Sequence, residues 1–139
     1  MIQIMQHIPS LHSLCLRYDW YGVDGGSFLE RLDPRILDNG RVDCLIPRLN
    51  TISIMIGCQL VTPDYGALID MIVSRYSLSR GTSAGDNVSG PIDRIQKVEV
   101  KCPIEMSWDG KDDTTWYEEV SEMLAPLQEF VDMVRVVRY

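Results

Sequence analysis

Two stretches of this 139-residue chain order their residue types in a way that chemistry could use. Gly81-Thr82-Ser83-Ala84-Gly85 spells G-x-S-x-G, the sharp turn that presents a serine nucleophile in hydrolases. That turn needs a strand before the serine, a helix after it, and acid and histidine partners. Here a helical pattern precedes it, a polar loop follows, and both histidines, His7 and His12, lie upstream. A convergent triad can use any chain order, so a small α/β hydrolase working through the Ser83 loop is the alternative reading to the binding module developed below. The same loop lacks the Gly-Lys-Ser/Thr ending that cradles phosphate.

The second stretch, Trp108-Asp109-Gly110-Lys111-Asp112-Asp113, gathers carboxylates without the spacing and distal glutamate of a calcium loop, and reads as a solvated acidic loop. Cys15, Cys44, Cys58 and Cys102 are scattered, with no C-x-x-C pair and no histidine at ligand spacing. They read as free thiols, most of them buried apolar groups. No catalytic residue, metal site or cofactor is expected.

The bulk properties narrow the classes further. A hydrophobic fraction of 45% and a charged fraction of 24% suit a folded domain. The net charge of −7 argues against a general nucleic-acid binder, which needs a basic footprint on phosphates. No apolar run is long enough to span a bilayer, and glutamines interrupt the apolar N-terminus, so neither a membrane span nor a signal peptide is expected. The expected location is intracellular, in cytoplasm or nucleus, where the sequon Asn87-Val88-Ser89 goes unused.

The elements that would position these residues follow from a repeat. Ile8-Pro9-Ser10-Leu11-His12-Ser13-Leu14-Cys15-Leu16 returns 38 residues later as Ile46-Pro47-Arg48-Leu49-Asn50-Thr51-Ile52-Ser53-Ile54. Alternation of Leu14 and Leu16 with polar neighbours predicts a strand with one buried face, and L-x-x-L-x-L is the pattern of leucine-rich repeats. A weaker third copy sets Ile92, Ile95, Val98 and Val100 a further 46 residues on, its extra length assigned to the polar loop 79–91. Met133 to Val137 has the β-branching of a last strand.

Between the strands, Ser27-Phe28-Leu29-Glu30 reads as a capping box opening a helix that Asp33-Pro34 ends, with Ile36 and Leu37 adding a turn before Asp38-Asn39-Gly40. Thr62-Pro63-Asp64 reads as an N-cap, with Leu68, Ile69, Ile72, Val73 and Tyr76 on one helical face. Thr115-Trp116-Tyr117-Glu118 opens a third helix, with Trp116, Val120, Met123, Leu124, Leu127 and Val131 at helical spacing and Pro126 splitting it. The expected fold is α/β: a short leucine-rich-repeat-like solenoid of about four parallel strands joined by helical crossovers, in a single domain over 1–139. The chain opens inside a repeat unit, so it is expected to be a fragment of a longer array.

The I-P-x-L-x-(S/T)-L-x-L strands, the helix Leu68-Ile69-Asp70-Met71-Ile72-Val73-Ser74-Arg75-Tyr76 with its variable loop, and the terminal helix and strand resemble the C-terminal leucine-rich-repeat region of fungal F-box proteins. The resemblance implies the substrate-recognition part of a ubiquitin-ligase adaptor, non-enzymatic and protein-binding. Residues 1–7, ahead of the first copy, are too few for an F-box, so ubiquitin-ligase components are expected to join only if one is supplied elsewhere. A non-functional truncated repeat fragment is the further alternative.

If the leucines, isoleucines and valines of the strands point inward, their neighbours share the opposite face. Arg17, Thr51, Ser53, Met55, Lys97, Glu99, Lys101 and Arg135 are therefore the candidate partner-binding residues, beside Ser13, Cys15, Met133 and Val137. They form a mildly basic strip on an acidic chain, suited to an acidic peptide.

Overall fold

The computed structural model describes residues 10–18, 25–57, 63–81, 92–102 and 113–139. In chain order these form β1 (Ser13–Tyr18), α1 (Gly25–Leu32), β2 (Arg35–Ile36), β3 (Val42–Asp43), β4 (Thr51–Ile56), α2 (Tyr65–Gly81), β5 (Lys97–Cys102), α3 (Asp113–Leu124), a 3-10 segment (Ala125–Glu129) and β6 (Met133–Arg138). β1, β4, β5 and β6 make one four-stranded parallel sheet in that order, and β2 pairs with β3 as a small antiparallel hairpin. The fold is mixed α/β, with four parallel strands and helices between them.

The sequence repeat and the sheet register coincide. Leu14 pairs with Ile52, Ile52 with Val98 and Val98 with Val134. The match extends into the preceding loops. The His12 carbonyl accepts from both Asn50 N and Thr51 N, the Asn50 carbonyl from Gln96 N and Lys97 N, and the Gln96 carbonyl from Asp132 N and Met133 N. β4, β5 and β6 are thus each started by the same pair of bonds, which satisfies loop amides that would otherwise be stranded beside a buried face.

Register has an energetic cause, since a one-residue slip would turn every inward side chain out. Ile52, Ile54, Val98 and Val100 are fully buried, Leu14 and Leu16 nearly so, and Val134 and Val136 half-buried at the β6 edge. Phe28, Leu29 and Leu32 of α1, Leu68, Met71 and Ile72 of α2, and Val120, Leu124 and Leu127 pack on that same core. Burying each large aliphatic side chain contributes about 1.5–3 kcal/mol.

Several local expectations shift. α1 begins at Gly25, so Ser27 lies inside the helix rather than capping it, while the helix does end ahead of Asp33-Pro34. Ile36 and Leu37 add no helical turn. Ile36 is in β2, and the turn that follows is closed by Gly40 N donating to the Leu37 carbonyl and Arg41 N to Asn39 Oδ1. Gly40 has φ of 76°, a left-handed conformation that glycine adopts without strain. The reversal pairs β2 with β3 and leaves Ile36 exposed.

α2 begins at Tyr65, so the cap is Asp64, whose Oδ1 accepts from Ala67 N at 2.9 Å. The expected cap, Thr62, lies outside the described residues. Thr115 sits inside α3, which starts at Asp113, and Pro126 does divide the segment into α3 and the 3-10 turn. Met123, expected inward, is 42% exposed because the buried line runs through Val120, Leu124 and Leu127.

One buried group answers no sequence expectation. The stripe of α2 continues from Leu68, Met71 and Ile72 to Arg75, which is fully buried. Its guanidinium donates to the carbonyls of Ile46 (2.9 Å), Pro47 (3.1 Å), Leu49 (3.2 Å) and Asp93 (3.3 Å), and to Cys44 Sγ (3.2 Å). Burial pushes its pKa down, while Cys44, Asp93 and Asp33 push it back up. The helix is thereby pinned to the turns that lead into β4 and β5.

Candidate functional site

Helices cover one face of the sheet, and the other presents a grid fixed by parallel pairing. Ser13, Thr51, Lys97 and Met133 form one row; Cys15, Ser53, Glu99 and Arg135 the next; Arg17, Met55, Lys101 and Val137 the third. Strands lie about 4.8 Å apart and alternate residues about 6.6 Å apart, so the grid spans roughly 14 by 13 Å. Parallel sheets in α/β proteins usually carry helices on both faces. Here Ser13, Cys15, Arg17, Met133 and Arg135 are exposed and Thr51, Ser53, Met55, Lys97, Lys101 and Val137 half-buried.

All eight expected contact residues, Arg17, Thr51, Ser53, Met55, Lys97, Glu99, Lys101 and Arg135, lie in the grid. Seven of them reach solvent to an intermediate or full degree. Glu99 departs from expectation: it is only 8% exposed although it occupies this face. Its Oε2 accepts from Lys101 Nζ at 3.0 Å and from Ser53 Oγ at 3.3 Å, and its Oε1 lies 3.7 Å from Lys97 Nζ. The hydrogen bond from Lys101 is the main cause that lowers the Glu99 pKa, opposed by desolvation and aided by the charges of Lys101 and Lys97 and the bond from Ser53. Alternation alone could place Glu99 on the face. It could not show that lysines two residues away on either side would fold over it.

Four basic side chains, Arg17, Lys97, Lys101 and Arg135, share the grid with this single carboxylate. On a chain of net charge −7 that is a local inversion of sign. Met55 and Met133 add soft apolar surface that adapts to varied partners.

The chemical candidates are dispersed. Ser83 and its G-x-S-x-G loop, the Trp108–Asp112 loop, His7 and Cys58 lie outside the described residues. His12 is exposed and serves through its backbone carbonyl. Of the described cysteines Cys15 is exposed, Cys44 half-buried and Cys102 buried, so the expectation of mostly buried cysteines fails among them. An acidic cleft of about 310 Å³ between α1 and the start of α2 is lined by Glu30, Asp33, Asp64 and Asp70. Among the described residues no cluster of three His, Cys, Asp or Glu side chains is placed to hold a metal ion. Among them, too, no helix is long and apolar enough to cross a membrane.

No protein-family model, no curated protein and no solved structure matches this chain. Geometry and charge therefore carry the functional argument.

Proposed function

We propose that this chain is a non-enzymatic protein-binding module whose docking surface is the open face of the sheet. The observation that carries the reading is the one-sided sheet: consecutive parallel strands in matched register, one face sealed by helices and the other holding three aligned rows of polar and basic side chains. Strand order that follows chain order, with the same hydrogen-bond pair opening β4, β5 and β6, supports a short leucine-rich-repeat-like solenoid in a single domain. Such arrays bind along their strand-lined face. On this reading the module corresponds to the substrate-recognition part of a fungal F-box adaptor, acts inside the cell, and meets ubiquitin-ligase components only where an F-box is provided by another segment or chain.

The test is affinity capture from native extract with the wild-type chain, a Cys15→Arg/Ser53→Arg variant of the open face, and an Asp70→Arg variant of the helix side as control. Proteins captured by the wild type and the control but lost with the open-face variant support the reading. Identical capture by all three removes it. Co-purification of ubiquitin-ligase components decides the adaptor assignment separately.

A further inference from the structure

Glu99 is an unusual occupant for a docking face. A contact residue should offer itself to solvent, yet this carboxylate is 8% exposed and already held by Lys101, Ser53 and Lys97. What the face displays is a carboxylate-binding arrangement filled by its own strand. Two ammonium groups and a hydroxyl converge on one anion from three directions, the donor set that a glutamate or aspartate of another chain would also satisfy.

The surrounding charge says what kind of partner this favours. Arg17 shares a row with Lys101, and Arg135 shares a row with Glu99 and pairs with it in register. The basic excess therefore surrounds the filled position. Across the molecule the sign reverses, with Glu30, Asp33, Asp64 and Asp70 lining the cleft beside α1 and α2. A neutral or basic segment has no electrostatic reason to choose the open face, whereas an acidic one is drawn to it. The exchange can begin from the lysine side: Lys97 and Lys101 remain about a third exposed while the Glu99 side chain is 10% exposed, so water screens the ammonium end of each pair.

We infer that Ser53, Lys97 and Lys101 form a carboxylate-binding subsite for an acidic peptide segment of a protein partner, with Glu99 as its built-in competitor. The inference rests on the open face being the docking surface. The partner's carboxylate takes up Lys101 and Lys97 as Glu99 releases them, while Arg135 holds a neighbouring acid. Met55 and Met133 meet the apolar side chains between them. Glu99 sets a threshold, since one acid must displace another and only a segment dense in carboxylates does so with a net gain. It also keeps the two lysines in place when no partner is bound.

The experiment is fluorescence anisotropy at low salt with three short labelled peptides, alternating leucine with glutamate, glutamine or lysine. The proteins are the wild type, Glu99→Gln, Lys101→Gln and Asp70→Asn, each first checked for folding by circular dichroism. The glutamate peptide should bind best, and more weakly as salt rises. Glu99→Gln should tighten it roughly 2–5-fold, the equivalent of one exposed ion pair. Lys101→Gln should loosen it by a similar factor, and Asp70→Asn should leave it unchanged. Binding of the glutamine or lysine peptide as tightly as the glutamate one overturns the inference. So does a Glu99→Gln protein that folds and binds the glutamate peptide no better than the wild type. Self-association of Glu99→Gln in sedimentation, abolished by Asp70→Asn, would assign the basic face to a second copy and overturn it too. If the capture experiment still depends on the open face while the peptides show no acidic preference, the subsite fails and the docking reading stands.

Discussion

Arg75 Nη2 lies 2.9 Å from the Ile46 carbonyl oxygen, and the same nitrogen also reaches the carbonyls of Pro47 and Leu49. A single guanidinium thus caps the turn of the I-P-x-L motif from within the core. Two of those carbonyls also accept backbone N–H groups, that of Ile46 from Leu49 N and that of Pro47 from Asp93 N, so the guanidinium adds to the bonds the turns make themselves. A planar group with five N–H donors suits several carbonyls at once, which an ammonium does not.

Arg75→Ala should therefore rank among the most damaging single changes in the molecule. It removes the guanidinium bonds to four carbonyls, of which those of Ile46 and Pro47 keep a backbone donor in Leu49 N and Asp93 N, and leaves a void, at an expected cost of about 3–5 kcal/mol. Arg75→Lys should recover only part of that, since it keeps the charge and loses the fork. Urea unfolding midpoints check both. A loss below about 1 kcal/mol for Arg75→Ala, the typical effect of an ordinary substitution, would show that the clamp contributes nothing special.

The start of α2 gives a smaller effect with a cleaner contrast. Asp64→Ala removes the oxygen that accepts from Ala67 N and should destabilise by about 1 kcal/mol, while Asp64→Asn, another good N-cap, should cost far less. Gly66 leaves room for this cap, since a Cβ there would stand 3.3 Å from Asp64 Oδ1. Equal losses for the two variants would mean that the carboxylate acts through its charge and not through the hydrogen bond.

The core should weaken in a graded way from the centre of the sheet to its β6 edge. Ile54→Ala, in a strand paired on both sides and fully buried, should cost about 2–5 kcal/mol. Val136→Ala, half-buried in β6, removes fewer methyl groups from a site that solvent partly reaches and should cost clearly less. Thermal or urea unfolding of the pair measures the difference, and a Val136→Ala loss as large as that of Ile54→Ala would place hidden packing at the edge.

The strands were legible in the residues for a definite reason. Period-two alternation is a direct image of one buried face, and spacings between Leu14, Ile52 and Val98 became register because each copy must present the same side chains to one core. Helix starts were less legible, since Ser27 and Thr115 each qualify as caps in isolation yet lie inside helices that begin at Gly25 and Asp113, and the bond to Ala67 N falls to Asp64. Arg75 was hidden because a charged residue on an apolar stripe reads as the stripe's end. Its partners are backbone carbonyls far away in the chain, which leave no trace in side-chain types. Glu99 was placed correctly by alternation, but its burial depends on lysine stems folding across it, and residue order does not encode a rotamer.

Glu99 also makes stability depend on pH in a stated direction. Its carboxyl is held below the ordinary value of 4.5, chiefly by the hydrogen bond from Lys101, so its stabilisation is fully present above that pH and lost as pH falls through the lowered folded value. Relative to wild type, Glu99→Gln should be less stable near neutrality, and the gap should close between pH 4.5 and more acid conditions. Urea midpoints of both proteins across that range test it. A gap that stays constant through the acid limb would show that Glu99 gains nothing from its ionised partners.

Two tyrosines make the last prediction, and its sign is the opposite of the others. Tyr18 and Tyr65 are 4% and 6% exposed, and neither hydroxyl has a hydrogen-bond partner among the described residues. Burial is the leading cause that raises the pKa of both phenols, with Asp64 adding to Tyr18 and with Cys102 and Tyr18 adding to Tyr65. A buried hydroxyl without a partner pays the desolvation cost and receives nothing back, about 1–3 kcal/mol in proteins. The aromatic ring, by contrast, supplies packing that phenylalanine reproduces. Tyr65→Phe should therefore leave stability unchanged or raise it by about 1 kcal/mol, and Tyr18→Phe should do the same. Tyr65→Ala, which removes the ring, should cost about 3–5 kcal/mol, as large aromatic truncations do. A Tyr65→Phe protein that unfolds at clearly lower urea than the wild type would show that the hydroxyl holds a bond the described residues do not supply.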